Sequence, residues 1–153
     1  MMIPDWLSVL LLSALPVTEL RASLPLAVLY YGLDPVLATA LALIGNAIPL
    51  ALIFILFTPF LSWAKEHSVT LHRLIETHLK KLERTHGKKY HRWGALFLCV
   101  FVAVPLPGSG VWTASLLAVL FGMRPRLAVP AILLGMAVAA GIVVWASLYA
   151  HSF

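Results

Sequence analysis

The sequence predicts an all-α integral membrane protein in which two halves of inverted topology each contain a re-entrant broken-helix hairpin and one transmembrane helix. Three observations carry this prediction: the composition, two proline-bounded breaks in apolar runs, and a similarity between the halves. Of the 153 residues, 61% are hydrophobic and 11% are charged. The mean hydropathy of +0.96 is typical of polytopic membrane proteins. We expect one membrane domain over residues 1–153, with repeats at 5–63 and 93–150 and a cytoplasmic amphipathic helix at 65–92.

The stretch over residues 104–113, Val-Pro-Leu-Pro-Gly-Ser-Gly-Val-Trp-Thr, interrupts an apolar run. Prolines remove backbone donors and glycines free the backbone, so no single α-helix continues through this stretch. Each flank has about nine residues and is too short to cross roughly 30 Å of hydrocarbon. A break at that depth must be buried in protein or line a wet cavity, which makes it a candidate site. A similar stretch lies at residues 16–25, and the predicted hairpin breaks are Pro16, Pro25, Pro105, Pro107, Gly108 and Gly110.

The two halves align at an offset of about 90 residues, as in an internal repeat. Gly32-Leu-Asp-Pro-Val-Leu-Ala matches Gly122-Met-Arg-Pro-Arg-Leu-Ala, and Gly45 matches Gly135 without a gap. Each half then consists of one hairpin and one long helix, from Pro35 to about residue 63 and from Pro125 to about residue 150. Both helices are long enough to span a membrane.

Residues 65–92 contain eight Lys or Arg residues, with apolar residues at helical spacing between them. This pattern predicts an amphipathic helix on the cytoplasmic face of the membrane, with Trp63, Tyr90 and Trp93 as interfacial anchors. Its histidines are five, six or eight residues apart, a spacing that favours a solvated basic surface over a metal site. We therefore expect no metal.

The distribution of charged residues along the sequence predicts how the chain is oriented in the membrane. If each hairpin enters the membrane and returns, every Lys and Arg except Arg21 lies on the cytoplasmic side, as the positive-inside rule requires. The equivalent residues Asp34 and Arg124 then lie on opposite sides, as expected for inverted halves. Inverted repeats with broken helices near the bilayer midplane are an architecture of secondary transporters. We expect a location in the inner (cell) membrane.

The candidate substrate or proton-coupling residues are Glu19, Arg21, Asn46, Ser109 and Thr113. Glu19 and Arg21 are charged residues in an apolar context, which is costly and typical of functional sites. In one interpretation they pair with each other and stabilise the hairpin. In the other, an anion binds to Arg21 and to two helix starts, one after Pro25 and one near residues 109–113, and Glu19 carries a proton.

The uncharged candidates each have two interpretations. Asn46 either binds across to a hairpin or only holds helices together. Ser109, Thr113 and Ser115 either contact a ligand or cap the second half-helix.

Several classes of function are excluded by what the sequence lacks. It contains no Ser-His-Asp, Cys-His, phosphate-loop or zinc motif, so we expect no enzymatic activity, no catalytic residues and no cofactor. The net charge of +5 is concentrated in the central segment, so we expect no nucleic-acid partner. Because broken helices must hide their ends from lipid, we expect a homodimer.

Three segments carry a resemblance to a known family: Glu19-Leu-Arg-Ala-Ser-Leu-Pro-Leu, Gly45-Asn-x-x-Pro and Val104-Pro-Leu-Pro-Gly-Ser-Gly-Val-Trp-Thr. Together they resemble the small multi-drug export protein family over nearly the whole chain. The broken hairpins are more distantly similar to DedA-type membrane proteins, a resemblance that implies translocation of anionic lipids and proton coupling. The second hairpin departs from that group, because it has prolines and glycines where an Arg-rich pattern is expected.

Three functions follow as hypotheses. The first is a proton-coupled exporter of a small or amphipathic substrate, with a site between the hairpins. The second is a translocase of an anionic lipid, a polyprenyl phosphate or a phospholipid. The third is a non-transporting scaffold whose basic segment at residues 65–92 binds anionic lipid or a partner.

Overall fold

The computed structural model describes residues 4–67, 93–106 and 108–151, and no strand is present among them. The helices are α1 (Asp5–Ala14), α2 (Glu19–Pro25), α3 (Pro35–Leu52), α4 (Thr58–His67), α5 (Trp93–Ala103), α6 (Val111–Leu120) and α7 (Pro125–His151). Most of the predicted amphipathic helix, residues 68–92 with Tyr90, lies outside the described residues, as does Pro107. We call α1 and α2 the first helix pair, and α5 and α6 the second helix pair.

The two long helices of the prediction are present. The segments Pro35–Ala64 and Pro125–Ala150 are long and apolar enough to cross a membrane. The first is α3, one π turn and part of α4, and the helix continues past the predicted end to His67. Its start is fixed by Asp34, whose Oδ1 accepts hydrogen bonds from the amides of Val36 (2.9 Å) and Leu37 (3.1 Å).

The first break is shorter than predicted. Only residues 15–18 separate α1 from α2, so the expectation that a half-helix starts after Pro25 is wrong. Pro25 supplies no amide hydrogen, and the chain accommodates it by widening into a π turn over Leu26–Tyr30, where the Tyr31 amide donates to the Leu26 carbonyl at 3.1 Å. Pro49 inside α3 is likewise followed by a π turn, Ile53–Phe57.

Serine and threonine side chains tie the first helix pair together. The Ser13 hydroxyl donates to the Val9 carbonyl at 2.7 Å, so the Ser23 hydroxyl, 2.6 Å away, donates to Ser13. The Thr18 hydroxyl donates to the Leu12 carbonyl near the end of α1. These contacts satisfy buried polar groups at the turn between the two helices.

Each long helix packs a glycine against the first helix of its own half. A Cβ added at Gly45 would overlap the Leu10 carbonyl oxygen of α1 and lie 2.8 Å from the Ser13 Cβ. A Cβ added at Gly135 would lie 2.5 Å from the Cys99 carbonyl oxygen of α5. Both positions therefore allow close approach of helix backbones.

Replacing these glycines tests the packing. We expect Gly45→Ala to lower the free energy of unfolding by about 2 kcal/mol, because the methyl group overpacks the α1 contact. Gly141 is the control, since a Cβ there would have no neighbour within 4 Å. Gly141→Ala should raise stability by up to about 1 kcal/mol through helix propensity. Thermal unfolding in detergent measures the stability of both variants. Equal changes in stability would contradict the close contact between α3 and α1 at Gly45.

Candidate functional site

The candidate site lies where α2 begins, at the first break. Glu19 is the only described residue other than glycine with positive φ (46°), and its side chain is 8% exposed. Its carboxylate accepts hydrogen bonds from the backbone amides of Val111 and Trp112, which open α6. These amides have no partner within their own helix, and the positive end of the helix dipole favours a carboxylate there. The first helix pair thus caps a helix of the second.

Gly110 makes room for this carboxylate. A Cβ at Gly110 would overlap the Glu19 carboxylate group. The backbone of Gly110 has φ −85°, which any residue adopts, so the requirement for glycine here is space and not conformation. The predicted break residue is therefore part of the site.

Arg21 caps the other side of the second break. Its Nη1 lies 3.2 Å from Oε2 of Glu19. Its Nη2 lies 3.1 Å from each of the carbonyl oxygens of Val102, Val104 and Ser109. Carbonyls at the end of α5 have no helical donor, and a cation is favoured at that end of the dipole. One guanidinium therefore joins the Glu19 carboxylate to the end of α5.

Ser109 and Trp112 complete the contacts between the two helix pairs, which we call the junction. The Ser109 hydroxyl is within hydrogen-bond distance of the Val104 carbonyl (2.8 Å) and the Leu106 carbonyl (2.9 Å), and it also contacts Nη2 of Arg21 at 3.1 Å. The Trp112 indole donates from Nε1 to the Ala14 carbonyl at the end of α1, at 3.0 Å. Each helix pair thus supplies side chains that satisfy helix ends of the other pair.

This geometry changes the predicted anion site. No helix begins after Pro25, so that part of the predicted site is wrong. The start of α6 is placed as predicted, but Glu19 of the same chain occupies it. With Glu19 ionised, the two charges balance each other, and an external anion reaches the α6 amides only if Glu19 leaves.

Of the other predicted site residues, Ser109 joins this junction, whereas Asn46 and Thr113 do not. Asn46 lies on α3 with 1% of its side chain exposed. Neither polar atom of its amide has a hydrogen-bond partner among the described residues, and the same holds for Oγ of Ser115 and Nε of Arg21. Each such buried group costs about 1–3 kcal/mol if left unsatisfied. Thr113 is half-buried on the first turn of α6.

Sequence reasoning missed the roles of Gly110 and Trp112. The repeat offset contained a signal for both, because it aligns Glu19 with Ser109 and Arg21 with Val111, in the loop that these side chains contact. Among residues 4–67, 93–106 and 108–151, no group of three or more His, Cys, Asp or Glu residues could hold a metal ion.

Gly110→Ala tests the space reserved for the Glu19 carboxylate. We expect it to expel the carboxylate from the α6 amides and to lower the free energy of unfolding by about 2–3 kcal/mol, because buried charged and polar groups lose their partners. Gly108→Ala is the control in the same loop: Gly108 has φ +84° and open space around it, so only about 1–2 kcal/mol of backbone strain is expected. If Gly110→Ala destabilises less than Gly108→Ala in thermal unfolding, the proposed contact is contradicted.

Among the described residues the chain is helical, with two apolar helices of membrane-spanning length and a largely buried ion pair at the helix breaks, and these features are typical of a membrane protein. The family model described as "Putative small multi-drug export protein" matches residues 19–142, and the chain belongs to this family. The matched range starts at Glu19 and includes Arg21, Ser109 and Trp112. No curated protein and no solved structure matches the chain.

Proposed function

We propose that this protein is a proton-coupled exporter without enzymatic activity, in which Glu19 carries the proton and its ionised form holds the two helix pairs together. The observation that carries the proposal is the position of the Glu19 carboxylate, bound at once by the Val111 and Trp112 amides and by Arg21. Buried ionisable residues of this kind are typical of proton relays in transporters. The family description, an export protein, supports the same function.

Protonation of Glu19 is the proposed switch. The neutral carboxyl group no longer attracts Arg21 or the positive end of the α6 dipole as strongly as the carboxylate does. The link between α2 and α6 weakens, and the helix pairs separate toward one side of the membrane. Loss of the proton restores the carboxylate contacts and closes the site. The left-handed backbone of Glu19 supports this role, since strained residues cluster at switch regions.

In this proposal each helix pair is a re-entrant hairpin, and the two halves have inverted topology. Helices α1 and α6 have 10 residues each, about 15 Å at 1.5 Å per residue, which is half of the hydrocarbon thickness. The equivalent glycines Gly32 and Gly122 both have φ 62°, and Gly45 and Gly135 make equivalent contacts. Residues 65–92 then face the cytoplasm from the inner membrane, and a homodimer with surrounding lipid covers the broken helix ends.

The second candidate is a translocase of an anionic lipid. Arg21 and the start of α6 favour it, because together they bind a carboxylate in the present structure. A lipid phosphate would replace the Glu19 carboxylate there, and protonation of Glu19 would accompany its entry. No comparable observation supports a scaffold without transport activity, because a scaffold does not require a largely buried ion pair at the junction.

Reconstitution into liposomes tests the function. The purified protein is inserted in a defined orientation with a pH-sensitive dye inside, and cationic drugs, small anions and a polyprenyl phosphate are offered in turn. Proton movement evoked by one substrate class, and absent from liposomes without protein, is expected for a coupled exporter. Movement evoked by the polyprenyl phosphate alone would favour the translocase, and none with any substrate would contradict both.

A further inference from the structure

We propose that Asn46 on α3 binds an uncharged hydrogen-bonding group, a hydroxyl or a carboxamide, of an otherwise apolar substrate. This inference rests on the proposed export function and names the substrate class. It is carried by two observations: the Asn46 amide is buried and has no hydrogen-bond partner among the described residues, and the equivalent residue of the other half is apolar.

The Asn46 amide has the capacity to bind a ligand group from both of its ends. Its oxygen accepts and its nitrogen donates hydrogen bonds, and both are unpaired at 1% side-chain exposure. Buried amides are normally hydrogen-bonded, so an unpaired one requires an explanation. A substrate hydroxyl or carboxamide offers both a donor and an acceptor and would satisfy both ends.

Asn46 lies at the depth where transporters of this architecture bind substrates. It follows Pro35 along the helix by about 17 Å at 1.5 Å per residue, close to half of a hydrocarbon core of roughly 30 Å. One turn further along, Pro49 has no amide hydrogen, so it does not donate to the Gly45 carbonyl. The residues of α3 around Asn46 are otherwise apolar, so its amide is the polar group that would orient a substrate bound there.

A structural role does not require asparagine here. The residue equivalent to Asn46 in the other half is Met136, which is also 1% exposed. The same kind of long helix therefore buries an apolar side chain at this position. Asn46 has a shorter side chain than its counterpart and carries polar atoms, which bind no other described residue.

The site favours an uncharged group because the two charged side chains of the candidate functional site already have partners. Glu19 and Arg21 bind each other and the helix ends of the second pair. On α6, the buried hydroxyl of Ser115, one turn after Val111, has no hydrogen-bond partner among the described residues. This hydroxyl is also neutral. Since α3 packs against α6, a release of α6 by Glu19 would alter the surroundings of a substrate held on α3.

The test compares two probes that differ by one hydroxyl, 1-pyrenemethanol and 1-methylpyrene, with the full-length protein in lipid nanodiscs. Binding is followed by energy transfer from tryptophan, with empty nanodiscs as the partition control. We expect the wild type to bind 1-pyrenemethanol at least about tenfold more tightly than 1-methylpyrene, and Asn46→Leu to abolish this preference. Met136→Leu, at the equivalent position, should keep it.

Thermal unfolding of the same samples separates substrate binding from a structural role. Asn46→Leu should unfold at the same temperature as the wild type or higher, because leucine has the same branching of side-chain heavy atoms as asparagine and no hydrogen bond is lost. A clear fall in its unfolding temperature, an equal affinity of the wild type for both probes, or a preference that survives in Asn46→Leu would each overturn the inference. Proton flux through Glu19 is measured separately, so the failure of one proposal is distinguishable from the failure of the other.

Discussion

Glu19→Gln is expected to abolish substrate-evoked proton movement while the protein still folds. Glutamine keeps the size of the side chain and an oxygen that accepts from the Val111 and Trp112 amides, but it neither takes up nor releases a proton at physiological pH. Loss of the charge should lower the free energy of unfolding by about 2 kcal/mol, because charged hydrogen bonds to Arg21 and to the helix start become neutral ones. The pH-dye assay in liposomes and thermal unfolding measure the two effects.

Asp34→Asn is the matched control for this variant. Asp34 is an exposed carboxylate that caps α3, so its neutralisation removes the same charge outside the candidate site. Its proton movement should equal that of the wild type. Full substrate-evoked proton movement in Glu19→Gln would show that another group carries the proton and would overturn the proposed mechanism.

Arg21→Met is expected to have the largest effect on stability, about 3–5 kcal/mol. Methionine fills similar apolar space but leaves the Glu19 carboxylate buried without its cation, and removal of one partner of a buried ion pair is strongly destabilising. The carbonyls of Val102, Val104 and Ser109 also lose a donor. Thermal unfolding in detergent measures the loss.

Two further variants give this prediction its controls. Arg21→Lys keeps the charge but lacks the guanidinium fork, so it should recover only part of the stability. The double variant Glu19→Gln with Arg21→Met should be more stable than Arg21→Met alone, because no charge is left unpaired. Additive losses in the double variant would show that the two residues do not act as a pair.

The long helices and the second break could be predicted from the sequence because local chemistry determines them. Pro35 and Pro125 begin helices where a missing amide costs nothing, and the cluster of prolines and glycines before Val111 stops a helix. The predicted first break is too long because the sequence pattern suggests a half-helix that begins only after Pro25. A π turn after Pro25 instead keeps the helix intact, and no local pattern distinguishes the two outcomes.

Only the charged residues of the candidate site, and not their partners, could be predicted from the sequence. An isolated charge pair in apolar sequence identified Glu19 and Arg21, because charges are rare at such places. Their partners could not be derived from composition: the α6 amides and α5 carbonyls are backbone groups more than eighty positions away along the chain. Gly110 was predicted as a break residue, whereas its second role, making room for a carboxylate, depends on the tertiary contact.

The central claim, that Glu19 takes up the proton when the helix pairs separate, is tested most directly by infrared difference spectroscopy of the reconstituted protein before and after substrate addition. We predict that a band of a protonated carboxyl group appears as a carboxylate band is lost, that ¹³C-labelled glutamate shifts it, and that Glu19→Gln lacks it. An identical difference spectrum in Glu19→Gln, or no carboxyl change during substrate-driven proton movement, would contradict the claim.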